Sequence, residues 1–179
     1  MKAGFYCILS LFILTVVGCK DKPDGPDGNQ APEVEADVFK VVINAVVKKN
    51  DDFCVLYTQN GSLEFNEGTW KGVTGMENEQ AIEIALPANV YPTQLRLDLG
   101  KGQEQDDMVI KSVKFEYAGK TRELKGAELG LFFRPDPSKC TFDSSTGVIK
   151  ALVKDGKKQT PSLYPNEAIM AAELPKLAM

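Results

Sequence analysis

The chain has 179 residues, with 25 acidic side chains against 21 basic ones, no histidine and a formal net charge of −4. An acidic balance disfavours a nucleic-acid partner, which needs a basic face. Without histidine there can be no Ser-His-Asp or Cys-His nucleophile and no histidine-based zinc site, while carboxylate-pair chemistry stays open.

Met1 and Lys2 form a minimal positive start, and residues 5–17 run apolar apart from Ser10 and Thr15. A membrane-spanning helix takes about 20 apolar residues, whereas about 7–15 suit the core of a secretory leader. The run closes on Val16-Val17-Gly18-Cys19. This stretch resembles the signal of bacterial lipoproteins, in which a small residue precedes a cysteine that takes a diacylglyceryl group. Val16 stands where that pattern prefers Leu. The resemblance implies a signal peptide over 1–18, a lipid on Cys19 and a membrane as partner. Each buried methylene contributes about 0.8 kcal/mol, so two or more acyl chains hold firmly. Lys20, not Asp, follows the cysteine, which departs from the family's inner-membrane retention signal. Lys20-Asp21-Lys22-Pro23-Asp24 partly matches the export signal of surface lipoproteins in gut-type Gram-negative bacteria. The expected location is the outer membrane, lipid-anchored and facing outward, with the periplasmic face as the other orientation.

Residues 19–35 hold Pro23, Pro26, Pro32 and two successive Pro-Asp-Gly triplets, and no aromatic. Such a segment cannot bury apolar surface and serves as a tether. At about 3.3 Å per residue it reaches up to roughly 50 Å. Residues 36–179 are then one domain of ordinary size, able to bury a core.

Residues 38–47 alternate, with Phe39, Val41, Ile43, Ala45 and Val47 on one face. Period two with β-branched enrichment predicts a strand. After the polar turn 48–52, residues 53–58 read as a second strand with Phe53, Val55 and Tyr57 inward, and the pair reads as a hairpin. Short strands follow at 69–74, 80–86 and 93–99, the last carrying Leu95, Leu97 and Leu99 against Arg96 and Asp98. Residues 108–117 read as a strong strand, with Val109, Lys111, Val113, Phe115 and Tyr117 alternating against Met108, Ile110, Ser112, Lys114 and Glu116. A further strand is expected at 120–124. Residues 125–133 are too crowded with apolar side chains for clean alternation and read as a helical turn or an irregular buried segment. Strands are expected at 140–143 and 148–153, and a short helix capped by Asn166 over 166–174. Many short strands between turn signals predict an all-β, antiparallel β-sandwich, jelly-roll-like, with one short C-terminal helix.

In this scheme Cys7 leaves with the leader and Cys19 is lipidated, so Cys54 and Cys140 remain. In an oxidising compartment a disulfide between them would contribute roughly 4–5 kcal/mol in the chain-entropy model. Two separate buried thiols are the alternative, and sequence alone does not bring the two together.

Three stretches carry a second resemblance: Asp51-Asp52-Phe53-Cys54-Val55-Leu56-Tyr57, Leu95-Arg96-Leu97-Asp98-Leu99-Gly100 and Ile110-Lys111-Ser112-Val113-Lys114-Phe115. Together they resemble the jelly-roll β-sandwich modules of bacterial surface lipoproteins and polysaccharide-assembly proteins, which are similar to non-catalytic carbohydrate-binding domains. Cys54 departs from that pattern, where a polar residue is commoner. The resemblance implies a glycan or envelope-polysaccharide ligand and no cofactor.

Trp70, Tyr57 and Tyr91 are the aromatic candidates for stacking on sugar rings, with core packing as the alternative for Tyr57 and loop anchoring for Tyr91. Arg96 and Asp98 share a polar strand face and could hydrogen-bond a ligand, or could pair as ions. Glu104, Asp106 and Asp107 form a charged loop that reads as solvated, with no metal site expected. The carboxylate pairs Glu64 with Glu67 and Glu77 with Glu79 carry no mark of a catalytic constellation, and no enzyme is expected. Two functions stay open: a displayed glycan-binding module, or a protein-interaction subunit of an envelope assembly. If the anchor reading is right, Cys19→Ala leaves the chain unlipidated and moves it from the membrane to the soluble fraction; an acylated, membrane-bound variant would contradict it.

Overall fold

The computed structural model describes residues 37–179, so the expected leader, lipidation site and tether lie outside the described residues. In chain order the elements are β1 (Lys40–Val46), β2 (Asp51–Thr58), β3 (Glu67–Val73), β4 (Gln80–Ala85), β5 (Gln94–Leu99), β6 (Met108–Tyr117) and β7 (Lys120–Lys125). Then come α1 (Ala127–Phe132), β8 (Phe133–Pro135), β9 (Cys140–Asp143), β10 (Val148–Ala151), β11 (Val153–Lys154), β12 (Lys157–Lys158), β13 (Ser162–Pro165) and α2 (Glu167–Glu173). A 3-10 turn, Leu174–Leu177, follows.

Two antiparallel sheets form a sandwich. The first runs β4-β1-β6-β10-β9, with β7 also on β6, and the second runs β3-β2-β5-β13-β8. The expected all-β sandwich with a short C-terminal helix is therefore what the chain builds. Phe39, Val41, Ile43, Ala45 and Val47 from the β1 region meet Phe53, Val55, Leu95, Leu97 and Leu99 of the second sheet, all with no exposed surface. Burying each such side chain contributes about 1.5–3 kcal/mol, and this layer holds the sheets together.

The expected hairpin of β1 with β2 does not form. β1 pairs with β4 and β6, while β2 pairs with β3 and β5. The chain crosses between sheets at residues 48–50. The crossing is pinned where Met76 N–H donates to the Val47 carbonyl (2.7 Å) and Gly75 N–H to Asn50 Oδ1 (2.8 Å). Alternation tells which face of a strand is apolar. Two apolar faces can share one sheet or oppose each other across a core, and alternation reads the same either way.

β6 departs from strict alternation for a definite reason. Asn44 pairs with Ser112 and Ala45 with Ile110, so Lys111 is an extra residue on β6. The bulge shifts the phase of the strand. Met108 and Ile110 point inward before it, Val113 and Phe115 after it, and Lys111 itself is exposed.

Of the two readings of 125–133 the helical turn is the one that forms, and a short strand begins at its last residue. α1 buries Leu129 and Phe132, three residues apart on one helix face. β8 then begins at Phe133 and places Pro135 on an edge strand, where a missing N–H is tolerated. The strand expected at 148–153 splits: β10 ends at Ala151, and β11 with β12 form a separate ribbon around Asp155-Gly156. Both turn residues have positive φ, 52° and 74°, as a tight two-residue hairpin requires. α2 forms as expected, but the Asn166 side chain makes no capping bond; instead Asn166 N–H donates to the Phe132 carbonyl at 2.7 Å. Met170, Leu174 and Leu177 are buried and close one end of the core. No helix among the described residues is long and apolar enough to cross a membrane.

Deleting Lys111 should remove the phase shift and turn two of the four inward β6 side chains to solvent. Urea denaturation should then show a loss of at least about 3 kcal/mol, whereas Lys111→Ala, which keeps the extra residue, should stay within about 0.5 kcal/mol. A deletion as stable as the parent would contradict the bulge.

Candidate functional site

The outer face of the second sheet gathers most of the polar and aromatic residues that stand out in the sequence. One cross-strand row runs Arg134, Tyr164, then Arg96 and Leu56 to Gly68; beside it a second runs Ser162, Asp98 and Cys54 to Trp70. Residues opposite one another on one face touch, so each row is a chain of side-chain contacts.

Arg96 is the hub of the first row. Its Nε donates to Asp98 Oδ1 at 2.9 Å and its Nη2 to Asp98 Oδ2 at 2.6 Å. Nη1 donates to the Tyr164 hydroxyl at 3.0 Å. The guanidinium lies 5.0 Å from the Tyr164 ring centre and 5.6 Å from that of Phe65, and Arg134 lies 5.5 Å from Tyr164. Aromatic rings and cations thus alternate across the sheet, each contact contributing about 0.5–2 kcal/mol. The Arg96 and Asp98 side chains are only 16 % and 11 % exposed. Both are committed to each other, so the ion-pair alternative describes their geometry and little of either is left for a ligand. Phe65, from the β2–β3 loop, packs edge-on to Tyr164 with ring centres 6.0 Å apart.

Trp70 is different. It sits on edge strand β3, with half of its surface exposed. Its neighbours along the strand on the same face are Gly68 and Gly72, which carry no side chain to cover the indole. Gly68 must be a glycine: a Cβ there would lie 2.9 Å from Cys54 Sγ and 3.0 Å from the Leu56 side chain. Lys101 places its Nζ 3.3 Å from the Trp70 ring centre. One indole face is therefore against a cation, while half of the side chain stays open to solvent.

Lys101 is held there by Asp51. Asp51 Oδ1 accepts from Lys101 N–H (2.7 Å) and Gly102 N–H (3.0 Å), and its Oδ2 accepts from Gln105 Nε2 (3.0 Å). Gly100 has φ 99°, and a Cβ on it would lie 2.5 Å from the same carboxylate. The carboxylate and the absent side chains together fold the 100–106 loop tightly against β2.

Tyr57 points into the core and is 6 % exposed, so it offers no face for stacking. Burial, and then contact with Glu67, raise its hydroxyl pKa. Tyr57 also borders an open cavity of about 300 Å³ that Glu64 and Glu67 line with Asn60, Ser62 and Asn66. Tyr91 anchors a loop: its ring packs edge-on to Phe39 and Tyr117, its hydroxyl donates to the Leu174 carbonyl, and burial followed by Tyr117 raises its pKa. Glu77 is 3.7 Å from Lys48, and Asp107 is 3.1 Å from Lys150. Among the described residues, no cluster of three or more acidic or cysteine side chains is placed to hold a metal ion.

The disulfide left open by the sequence is not made. Cys54 and Cys140 are both buried free thiols. Cys140 Sγ lies 3.5 Å from the Ser162 carbonyl on β13, and β5 separates β13 from Cys54 on β2. Burial and the nearby Asp98 push the Cys54 thiol up to about 11, against the pull of Arg96 and Lys101. It is thus protonated and inert near neutral pH. Burial also raises the Cys140 thiol.

Sequence reading missed Lys101, Phe65, Tyr164 and Arg134. Lys101 and Phe65 lie in loops, and β8 and β13 are too short, at three and four residues, for alternation to mark a face. Removing Asp98 would strand a half-buried guanidinium. Asp98→Ala should cost about 2–3 kcal/mol in chemical denaturation and Tyr164→Phe about 1 kcal/mol. Arg96→Met added to Asp98→Ala should recover part of the loss, because the uncompensated charge is then gone. Equal stability of Asp98→Ala and the parent would contradict the network.

No protein-family model, curated protein or solved structure matches the chain, so the reading of this face rests on its geometry.

Proposed function

We propose that the chain is a lipid-anchored outer-membrane protein displaying a non-catalytic β-sandwich that binds glycan or envelope polysaccharide at Trp70. The anchor part rests on the apolar run ending at Gly18-Cys19 and the proline-rich segment after it. The binding part rests on one observation: a half-exposed tryptophan on the solvent face of a sheet, with glycines to either side and a lysine on its ring. An indole offers a flat apolar surface that matches the C–H face of a pyranose, and an adjacent ammonium donates to its hydroxyls. Binding is favoured over catalysis because Arg96 and Asp98, the charged pair on this face, are committed to each other.

A second reading is favoured by β3 itself. It is a seven-residue edge strand, exposed along most of its length, and such an edge can take a strand from a protein partner. A glycan array probed with the full chain in detergent separates the two. Trp70→Ala should weaken glycan binding at least about tenfold, equivalent to about 1.4 kcal/mol, while changing stability by less than about 1 kcal/mol. If no envelope or host glycan binds, the edge-strand reading replaces this one.

A further inference from the structure

We propose that β3 pairs with β3 of a second copy of this chain, antiparallel and centred on Thr69, so that the two second sheets join edge to edge. The inference rests on the open edge strand of the second reading above and identifies its partner. β3 is paired with β2 along one side. Among the described residues no other strand pairs with it, and no loop backbone bonds to residues 67–73. Such an unpaired row of N–H and C=O groups is a template for another strand.

The order of residues along β3 selects a second copy. A two-fold axis at Thr69 sets Glu67 opposite Lys71, Gly68 opposite Trp70 and Thr69 opposite Thr69, and repeats the first two pairs on its other side. Opposite charges and paired threonines are both favourable across strands. Glu67, Thr69 and Lys71 lie on the inner side of β3, opposite Tyr57, Val55 and Phe53 of β2. Glu67 and Lys71 are exposed, and neither makes an ion pair among the described residues. A charge on the inner side of an edge strand repels an arbitrary strand, which would cover it unpaired. The second copy supplies the opposite charge twice. On the outer face each indole lies across from a glycine, the pairing by which an aromatic ring covers the backbone that glycine leaves bare. Trp70, half exposed in the single chain, gains that cover. A slip of two residues in either direction is the smallest that keeps the faces together. It takes Glu67 off Lys71 and loses both ion pairs, so the charges also fix the register.

The test is sedimentation of the full chain in detergent, from about 1 µM to about 1 mM, with the variants Glu67→Lys and Lys71→Glu, each alone and the two mixed. Residues 67–71 of each copy make a small contact, so the dimer should dissociate at roughly 10–100 µM. Each variant alone sets like charges opposite one another and should weaken self-association at least about tenfold. An equimolar mixture restores opposite charges at both positions and should associate like the parent. The mixture also controls for the Tyr57 contact that Glu67→Lys removes, since a second chain does not repair a folding defect. Amides of β3 that face away from β2 should exchange freely in the dilute chain and slow as the dimer forms. A parent still monomeric at about 1 mM, single variants that associate as the parent does, or a mixture that stays monomeric each overturns the second copy as partner. Slow exchange of those amides in the dilute monomer overturns the open edge itself, and the second reading with it.

Discussion

β6 can serve as the spine of the first sheet only because of the one extra residue at Lys111. It pairs with β1 along its length, and with β10 and β7 end to end on its other side. A ten-residue strand with unbroken alternation would have sent Met108 and Ile110 to one face and Val113 and Phe115 to the other. The bulge puts all four into one core, opposite Leu95, Leu97 and Leu99. The core then ends in an aromatic group, where Phe39 packs against Phe115, Tyr91 and Tyr117. The C-terminal segment closes that end through Met170, Leu174 and Leu177, and Tyr91 ties it down by its hydroxyl.

The outer face of the second sheet follows a different logic. A half-buried ion pair adds little net stability, because desolvation cancels much of the attraction. Its effect here is geometric. Arg96 meets Asp98 on its own strand and Tyr164 on β13 at once, so a slip of β13 against β5 by one residue would turn Tyr164 to the other face and break that contact. Ser162, Asp98 and Cys54 of the neighbouring row are buried as well, so Trp70, at its β3 end, is the member of that row open to solvent. The Asp51 carboxylate works in the same way on the loop, directing Lys101 over the indole by accepting backbone N–H groups. Position on the sheet thus separates a residue available to a partner from residues of the same chemistry that are not.

Much of this was legible in the chain itself. Alternation marked β1, β2, β5 and the extent of β6, and it assigned Phe39, Val55 and Leu97 to the core, because period two is a property of the strand and needs no partner. It also placed Arg96 and Asp98 together on one face. It did not locate the bulge, although Lys111 on the apolar face and Met108 and Ile110 on the polar one break the pattern; only the pairing of Asn44 with Ser112 and Ala45 with Ile110 places the extra residue.

What the sequence determined by itself is local: apolar faces, turn positions, and the class of fold that many short two-faced strands must form. What only the tertiary structure decided is pairing. It separated β1 from β2, kept Cys54 and Cys140 apart, and left Trp70 exposed with Lys101 on its ring. The physical reason is that a strand's pattern records which side is apolar, while its neighbour is chosen by burial and hydrogen bonding summed over the whole chain.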